Sequence, residues 1–103
     1  MDDSRTVAIV ATLDTKGEEA AYVRDHVAAW GLRTILIDPG ILPEPTVPAD
    51  ITRDQVAQAA GTTVEALLER GEKSYAIAQQ TQGLINLVLD LIQGMLDPRI
   101  TLE

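Results

Sequence analysis

The residues best suited to do chemistry lie together near the start of the chain, where an apolar run ends in a polar turn. A strand is expected to end there and a helix to begin. Free backbone N–H groups and the positive end of a helix dipole attract anions at such a corner. The turn Asp14–Gly17 is therefore predicted to hold a phosphate-like group. The candidate binding residues here are Thr12, Asp14, Thr15, Lys16 and Gly17.

Lys16 is one of only two lysines in the chain, and it lies at the predicted helix start. Its ammonium group could reach a phosphate, supported by the nearby N–H groups. The alternative is a solvated lysine, but the helix dipole disfavours a cation there by about 0.3–1 kcal/mol. This unfavourable placement favours the binding interpretation. The spacing matches neither a Walker A motif nor G-x-G-x-x-G, so the pattern alone is weak.

Two aspartates are further candidates, each with a structural alternative. Asp14 could accept from a ribose hydroxyl or hold a magnesium ion, or it could cap the first helix in place of Thr15. For Thr15 itself, capping is the favoured interpretation. Asp38 follows the second predicted strand, like the acidic residue that binds ribose in dinucleotide folds. Because Asp38 also precedes a Pro-Gly pair, a turn-stabilising role is favoured for it.

Charge and composition exclude several classes of function. The net charge of −8 comes from 16 acidic against 8 basic residues, which argues against nucleic-acid binding and against docking on anionic membranes. The chain has no cysteine, and its one histidine has no metal-ligand spacing. No nucleophile and base can be paired from this set, so no catalysis is expected from this chain alone. The most apolar segment, Leu84 to Ile92, is too short to span a bilayer, and a cytoplasmic domain is predicted.

A strand–helix–strand unit is expected to position the corner. Thr6 to Leu13 is predicted to form a buried strand, and Thr15 with Glu18 fits the capping-box pattern at a helix start. The first helix is predicted from about Lys16 to Trp30, and a second strand over Arg33–Ile37. Short connections in this order make a βαβ unit with parallel strands. The predicted inner face of the helix consists of Ala20, Val23, Val27 and Trp30.

Three helices are predicted after a proline-rich extended segment. The first begins at Thr52, in a capping box with Gln55, and ends at Gly61. The second begins at Thr62, paired with Glu65, and ends at Gly71. The third runs from about Glu72 to Gln93. Its predicted buried seam consists of Ile77, Thr81, Leu84, Val88 and Leu91.

The far half of the long helix is apolar on nearly all sides, which indicates a helix that is covered all round. A small sheet can cover one side of it. A second copy of the chain or a missing part of the same protein would cover the other, so a homodimer or an intramolecular contact is expected. Residues 97–103 could begin a third strand. The whole chain, residues 1–103, is predicted to be a single α/β domain. Its expected architecture is a Rossmann-like βαβ start with a small parallel sheet and a helical second half. The domain is expected to be a fragment of a larger doubly wound domain.

Residues 12–19, with the sequence T-L-D-T-K-G-E-E, closely match a T-[LA]-D-T-K-[GF]-x-E signature. On this motif the chain resembles the Tm-1-like ATP-binding proteins, also called the uncharacterised protein family UPF0261. The resemblance continues through residues 36–40, the proline-rich segment and residues 51–57, so it covers roughly residues 5 to 75. It implies the N-terminal part of a much longer protein, with a Rossmann-like architecture and ATP as ligand, with or without magnesium.

The chain departs from that family in one respect. Its members continue from the long helix into a strand and a glycine-rich loop, G-L-G-G-S-G-G-T, which is suited to a second phosphate contact. This chain reaches Glu103 without such a loop. If that loop supplies much of the ATP site, the chain alone is expected to hold nucleotide weakly.

Overall fold

Two parallel strands and four helices make up the part of the chain that the computed structural model describes, residues 5–95. Strand β1 (Thr6–Val10) pairs with strand β2 (Arg33–Ile37) in parallel, with Thr6 opposite Arg33 and Val10 opposite Ile37. This arrangement confirms the predicted α/β class with a βαβ start and a small parallel sheet. The elements are β1 (Thr6–Val10), α1 (Leu13–Ala29), β2 (Arg33–Ile37), α2 (Arg53–Ala59), α3 (Val64–Arg70) and α4 (Lys73–Met95).

The corner between β1 and α1 differs from the prediction. Strand β1 ends at Val10, and α1 already begins at Leu13, with Thr12 as its N-cap residue and no side-chain capping bond. The predicted strand end at Leu13, the helix start at Lys16 and the capping box were therefore wrong. The tertiary structure supplies the missing cap, because the Leu13 N–H donates to the Asp38 carboxylate at 3.3 Å. The sequence around the corner does not reveal this distant acceptor.

Helix α1 is bent at Lys16, whose φ of −118° and ψ of 18° are not helical. Its buried residues are Leu13, Gly17 and Ala20, which face β2 and the loop that contains Val47. Of the predicted inner face only Ala20 is buried, whereas Val23 is 46% and Trp30 80% exposed. A two-stranded sheet is too narrow to cover the far half of a helix of 17 residues.

Helices α2 and α3 begin near the predicted positions. The Thr52 hydroxyl accepts from the Gln55 N–H, and the Gln55 side chain accepts from the Thr52 N–H, which confirms that capping box. Helix α3 begins one residue later than predicted, because the cap is Thr63, whose hydroxyl accepts from the Ala66 N–H at 3.0 Å. Gly71 ends α3 with a φ of 72°, as a C-terminal glycine should.

Helix α4 buries a different face from the predicted seam. Its buried positions are Ala76, Gln80 and Gly83, which are spaced as one helical stripe. A side chain at Gly83 would overlap the Val56 backbone carbonyl, so this glycine lets α4 approach α2 closely. The apolar side chains that the periodicity placed in a seam are left half-buried or exposed. The third strand predicted over residues 97–103 lies outside the described residues.

Candidate functional site

A groove of about 650 Å³ lies at the carboxyl ends of both strands. Thr12 and Asp14 contribute to its wall from the corner after β1, and residues 39–42 contribute from the segment after β2. The remaining lining comes from α3, the turn that follows it, and α4. About half of these side chains are apolar, and the polar ones are Glu72, Lys73, Gln80 and Thr81. The edge of a parallel sheet where its strands end is where α/β proteins bind ligands. The groove also falls in the size range of small-molecule sites.

Asp14 is the charged group at this groove whose hydrogen bonding is least satisfied. Its side chain is only 8% exposed, and its Oδ1 is buried without a hydrogen-bond partner in the described structure. The nearest cationic group is Nη2 of Arg53, at 3.8 Å, which attracts the carboxylate but is too distant for a hydrogen bond. A buried, unpartnered carboxylate oxygen is costly. The position therefore suits a ligand that brings a donor or a cation.

Asp38, in contrast, is fully engaged within the protein. One oxygen accepts from the N–H groups of Leu13, at 3.3 Å, and Gly40, at 2.8 Å. The other accepts from Nε of Arg53 at 3.0 Å and lies 2.9 Å from its Nη2. With its side chain 1% exposed, Asp38 ties the ends of both strands to α2. These contacts favour the turn-stabilising interpretation over a ribose contact.

Arg53 is one of two residues at this site that were not predicted from the sequence. It is 8% exposed, pairs directly with Asp38, approaches Asp14, and donates through Nη1 to the Pro43 carbonyl. Arg53 thereby gives one positive charge to two carboxylates, so the cluster keeps a formal charge of −1. A signal was available, because an arginine in the first turn of a helix is placed unfavourably against the dipole unless a partner compensates.

The other predicted binding residues lie away from the groove lining. Lys16 is 63% exposed and has Oε2 of Glu19 at 3.9 Å from its Nζ, and Thr15 is also exposed. Gly17 is buried, and a side chain there would overlap Oγ1 of Thr46. The structure thus brings Thr12 and Asp14 together at the groove, with Asp38 directly behind them. It does not bring Thr15, Lys16 or Gly17 to the groove wall.

The backbone N–H groups of the corner are largely used by the protein itself. Leu13 donates to Asp38, while Thr15 and Lys16 donate to the Thr12 carbonyl at 3.3 and 2.8 Å. These three groups are therefore not free to bind a phosphate. Any charge on an anionic ligand must be met by side chains, by a metal ion or by groups from elsewhere.

Gln80 adds a second unsatisfied acceptor to the same groove. It lies on the buried stripe of α4 and is 2% exposed. Its Nε2 donates to the carbonyls of Gly40 and Arg53, at 3.1 and 3.2 Å, while its Oε1 is buried without a partner in the described structure. No sequence signal distinguished this glutamine from the others on α4.

Residues 5–95 lack two features that would indicate other functions. No group of three or more histidine, cysteine, aspartate or glutamate side chains is arranged to hold a metal ion there. Over the same residues, no helix combines the length and apolar character needed to cross a membrane.

Comparison with known proteins identifies one family. The pattern described as the uncharacterised protein family (UPF0261) N-terminal domain matches residues 5–102. A UPF0261 protein of Brucella suis is 34% identical over 101 residues, which is 97% of this chain and 24% of that protein. One of Clostridium tetani is 33% identical over 85 residues, which is 82% of this chain and 21% of that protein. The chain thus spans under a quarter of the length of these relatives. No solved structure matches the chain significantly.

Proposed function

The chain belongs to the UPF0261 family, as its N-terminal domain, and on that premise we propose that it binds ATP as one part of a larger nucleotide site. The groove at the strand ends would take the base and the ribose. The observation that carries this proposal is the buried, unpartnered Oδ1 of Asp14 in the wall of a mostly apolar groove. An apolar cleft with a few polar groups is the usual form of a small-molecule site.

Asp14 can serve a nucleotide in either of two ways. Its Oδ1 can accept a hydrogen bond from a ribose hydroxyl, or it can bind a magnesium ion that the phosphates also hold. Both uses supply the partner that the carboxylate lacks in the protein alone. A phosphate in direct contact with Asp14 would be repelled instead, so the carboxylate selects for the sugar or for the metal.

The phosphates need positive charge, and the corner offers little of it from its backbone. Lys16 is exposed on the same turn as Asp14, and its weak pairing with Glu19 leaves it able to reorient. Magnesium on Asp14 would supply further charge. The remaining contacts would come from the other three quarters of the longer proteins of this family, so binding to this chain alone should be weak.

Isothermal titration calorimetry with magnesium and ATP tests the proposal on three variants. Asp14→Asn removes the charge but keeps the shape, and it should weaken binding about tenfold or more, as loss of a charged hydrogen bond does. Lys16→Ala should weaken binding and abolish the ATP-dependent thermal shift. Arg24→Ala removes the same charge from α1 outside the groove, and it should leave binding unchanged. Equal affinities for all three variants and the unmodified chain would refute the assignment.

A second candidate function is protein association, favoured by an exposed apolar surface on α4. We define the α4 apolar face by side chains that are 37–58% exposed: Ile77, Ile85, Val88, Leu89 and Ile92. Val10 of β1 lies beside this face and is 46% exposed. A contiguous apolar surface of this kind marks contact sites in proteins. Its occupant would be a second copy of the chain, or the remainder of a longer protein.

Light scattering after size exclusion tests the second copy directly. A dimer at micromolar concentration that Leu89→Glu dissociates would support self-association, because the charge would have to be buried at the contact. Val23→Glu is a matched control, since Val23 is 46% exposed but lies on α1, outside both the groove and the α4 apolar face. A monomer at high micromolar concentration would exclude the homodimer.

A further inference from the structure

Gln80 is held in one orientation by the protein around it. Its Nε2 has two N–H groups, and both have an acceptor, the Gly40 carbonyl after β2 and the Arg53 carbonyl on α2. Turning the amide over would place its oxygen against these two carbonyl oxygens, which is repulsive. The oxygen of Gln80 is therefore fixed on the other side, where it has no partner.

A buried acceptor without a partner destabilises a folded protein, because it has lost its hydrogen bond to water and gained none in return. Gln80 and Asp14 both line the groove, and each contributes an unpartnered acceptor to it, whereas the unpartnered donor Nη2 of Arg53 belongs to a residue outside the groove lining. Arg53 connects them, since its carbonyl holds the Gln80 amide while its guanidinium approaches Asp14. This arrangement is complementary to a ligand with an apolar body and hydrogen-bond donors on its edge.

We propose that Gln80 is a specificity-determining residue whose Oε1 accepts an N–H group from the ligand in the groove. The inference rests on the proposed nucleotide site and names the base that it prefers. Adenine carries an exocyclic amino group, which is a donor. Hypoxanthine and guanine carry a carbonyl oxygen at the same position, which would face the Gln80 oxygen and repel it. The groove should therefore select a 6-amino purine over a 6-oxo purine.

Calorimetry on the unmodified chain with ATP, ITP and N6,N6-dimethyl-ATP, each with magnesium, tests this inference. The three nucleotides share the same ribose and phosphates. ITP has an acceptor in place of the 6-amino donor and gains a proton on N1, whereas the dimethyl compound loses the donor and gains two methyl groups. ATP should bind about tenfold or more tightly than either of the others, since an unmatched buried hydrogen bond costs this much in related sites. Equal affinities would overturn the role of Gln80 and leave the nucleotide site intact. If none of the three binds, the proposed function itself fails, and the inference fails with it.

The variant Gln80→Met provides the second measurement, because methionine keeps the length and volume of the side chain but offers no strong acceptor. The preference for ATP over ITP should fall towards one, while both nucleotides still bind. A retained preference would refute the assignment. Thermal denaturation monitors folding, since the variant loses the two bonds from Nε2. If it does not fold, the dimethyl-ATP comparison on the unmodified chain decides the question.

Discussion

Gly17 is in close contact with the loop after β2, so the effect of a substitution at Gly17 on the free energy of unfolding can be predicted. The same substitution distinguishes a role of Gly17 in packing from a role in ligand binding. Gly17 is buried in α1, and a methyl group there would overlap Oγ1 of Thr46 and lie 3.3 Å from its Cβ. Thr46 Oγ1 donates to the Leu13 carbonyl at 2.9 Å. Gly17→Ala must therefore push this hydroxyl out of its hydrogen bond.

The size of the effect follows from two opposing contributions. Displacing the Thr46 hydroxyl costs about 0.5–1.5 kcal/mol for the lost hydrogen bond, and the crowding near its Cβ adds about 1 kcal/mol. Replacing glycine by alanine inside a helix returns about 0.8–1.0 kcal/mol. Gly17→Ala should thus destabilise the fold by about 1 kcal/mol. When Thr46→Ala has already removed the hydroxyl, the crowding against Cβ of residue 46 remains and offsets the helix-propensity gain, so the same change should be close to neutral.

Urea denaturation of the four proteins in this double-mutant cycle measures the coupling. We expect a coupling free energy of about 0.5–1.5 kcal/mol between the two positions, which is the contribution of the displaced hydroxyl alone. Additive effects would refute the claim that Thr46 is the reason for a glycine at position 17. Calorimetry on the double variant then tests the role of Gly17 in binding. If the double variant binds ATP as tightly as the unmodified chain, Gly17 serves packing alone. If the double variant no longer binds ATP, Gly17 is again a candidate phosphate contact.

Three further predictions, which use four substitutions, test the contacts that hold the helices in place, each by urea denaturation. Arg53→Met should destabilise the fold by about 3–5 kcal/mol, because it leaves the buried carboxylates without their cation; a loss below 1 kcal/mol would contradict the shared ion pair. Gly83→Ala should cost about 3 kcal/mol or prevent folding, since the Val56 carbonyl is backbone and cannot rotate away; a neutral effect would show that α2 and α4 are not in close contact. Thr52→Ala should cost about 1 kcal/mol, whereas Thr15→Ala, which removes no cap, should stay within about 0.5 kcal/mol; equal losses would refute the capping assignment.

The sequence predicted local structure best where the controlling residues are close together in the chain. The capping box of Thr52 and Gln55 lies within one helical turn, and both of its bonds are formed. The strand Arg33–Ile37 was placed correctly, since a short β-branched run followed by Asp-Pro-Gly has few alternatives. At the start of α1, however, the acceptor for the first N–H group comes from Asp38, 25 positions away. Local capping rules cannot anticipate such a partner.

The candidate site was only partly predictable for the same reason. Thr12, Asp14 and Asp38 were named from the sequence as candidate binding residues, since each follows or ends a predicted strand. Arg53 and Gln80 enter the site from α2 and α4, and their position depends on how these helices pack on the sheet. That packing is controlled by Gly83, whose close contact with α2 sets which stripe of α4 is buried.

The mismatch between the periodicity of α4 and its buried face connects the two candidate functions. The spacing of the apolar side chains of α4 predicts that the seam from Ile77 to Leu91 is buried. The structure instead buries the neighbouring stripe of Ala76, Gln80 and Gly83. Thr81 and Leu84 line both the ligand groove and a shallow apolar depression formed by Val10 and the α4 apolar face. The two surfaces are thus continuous. Whatever covers the apolar face would also border the groove that holds Asp14 and Gln80. Ligand binding and association should therefore be thermodynamically linked through α4, each changing the affinity of the other by the same factor.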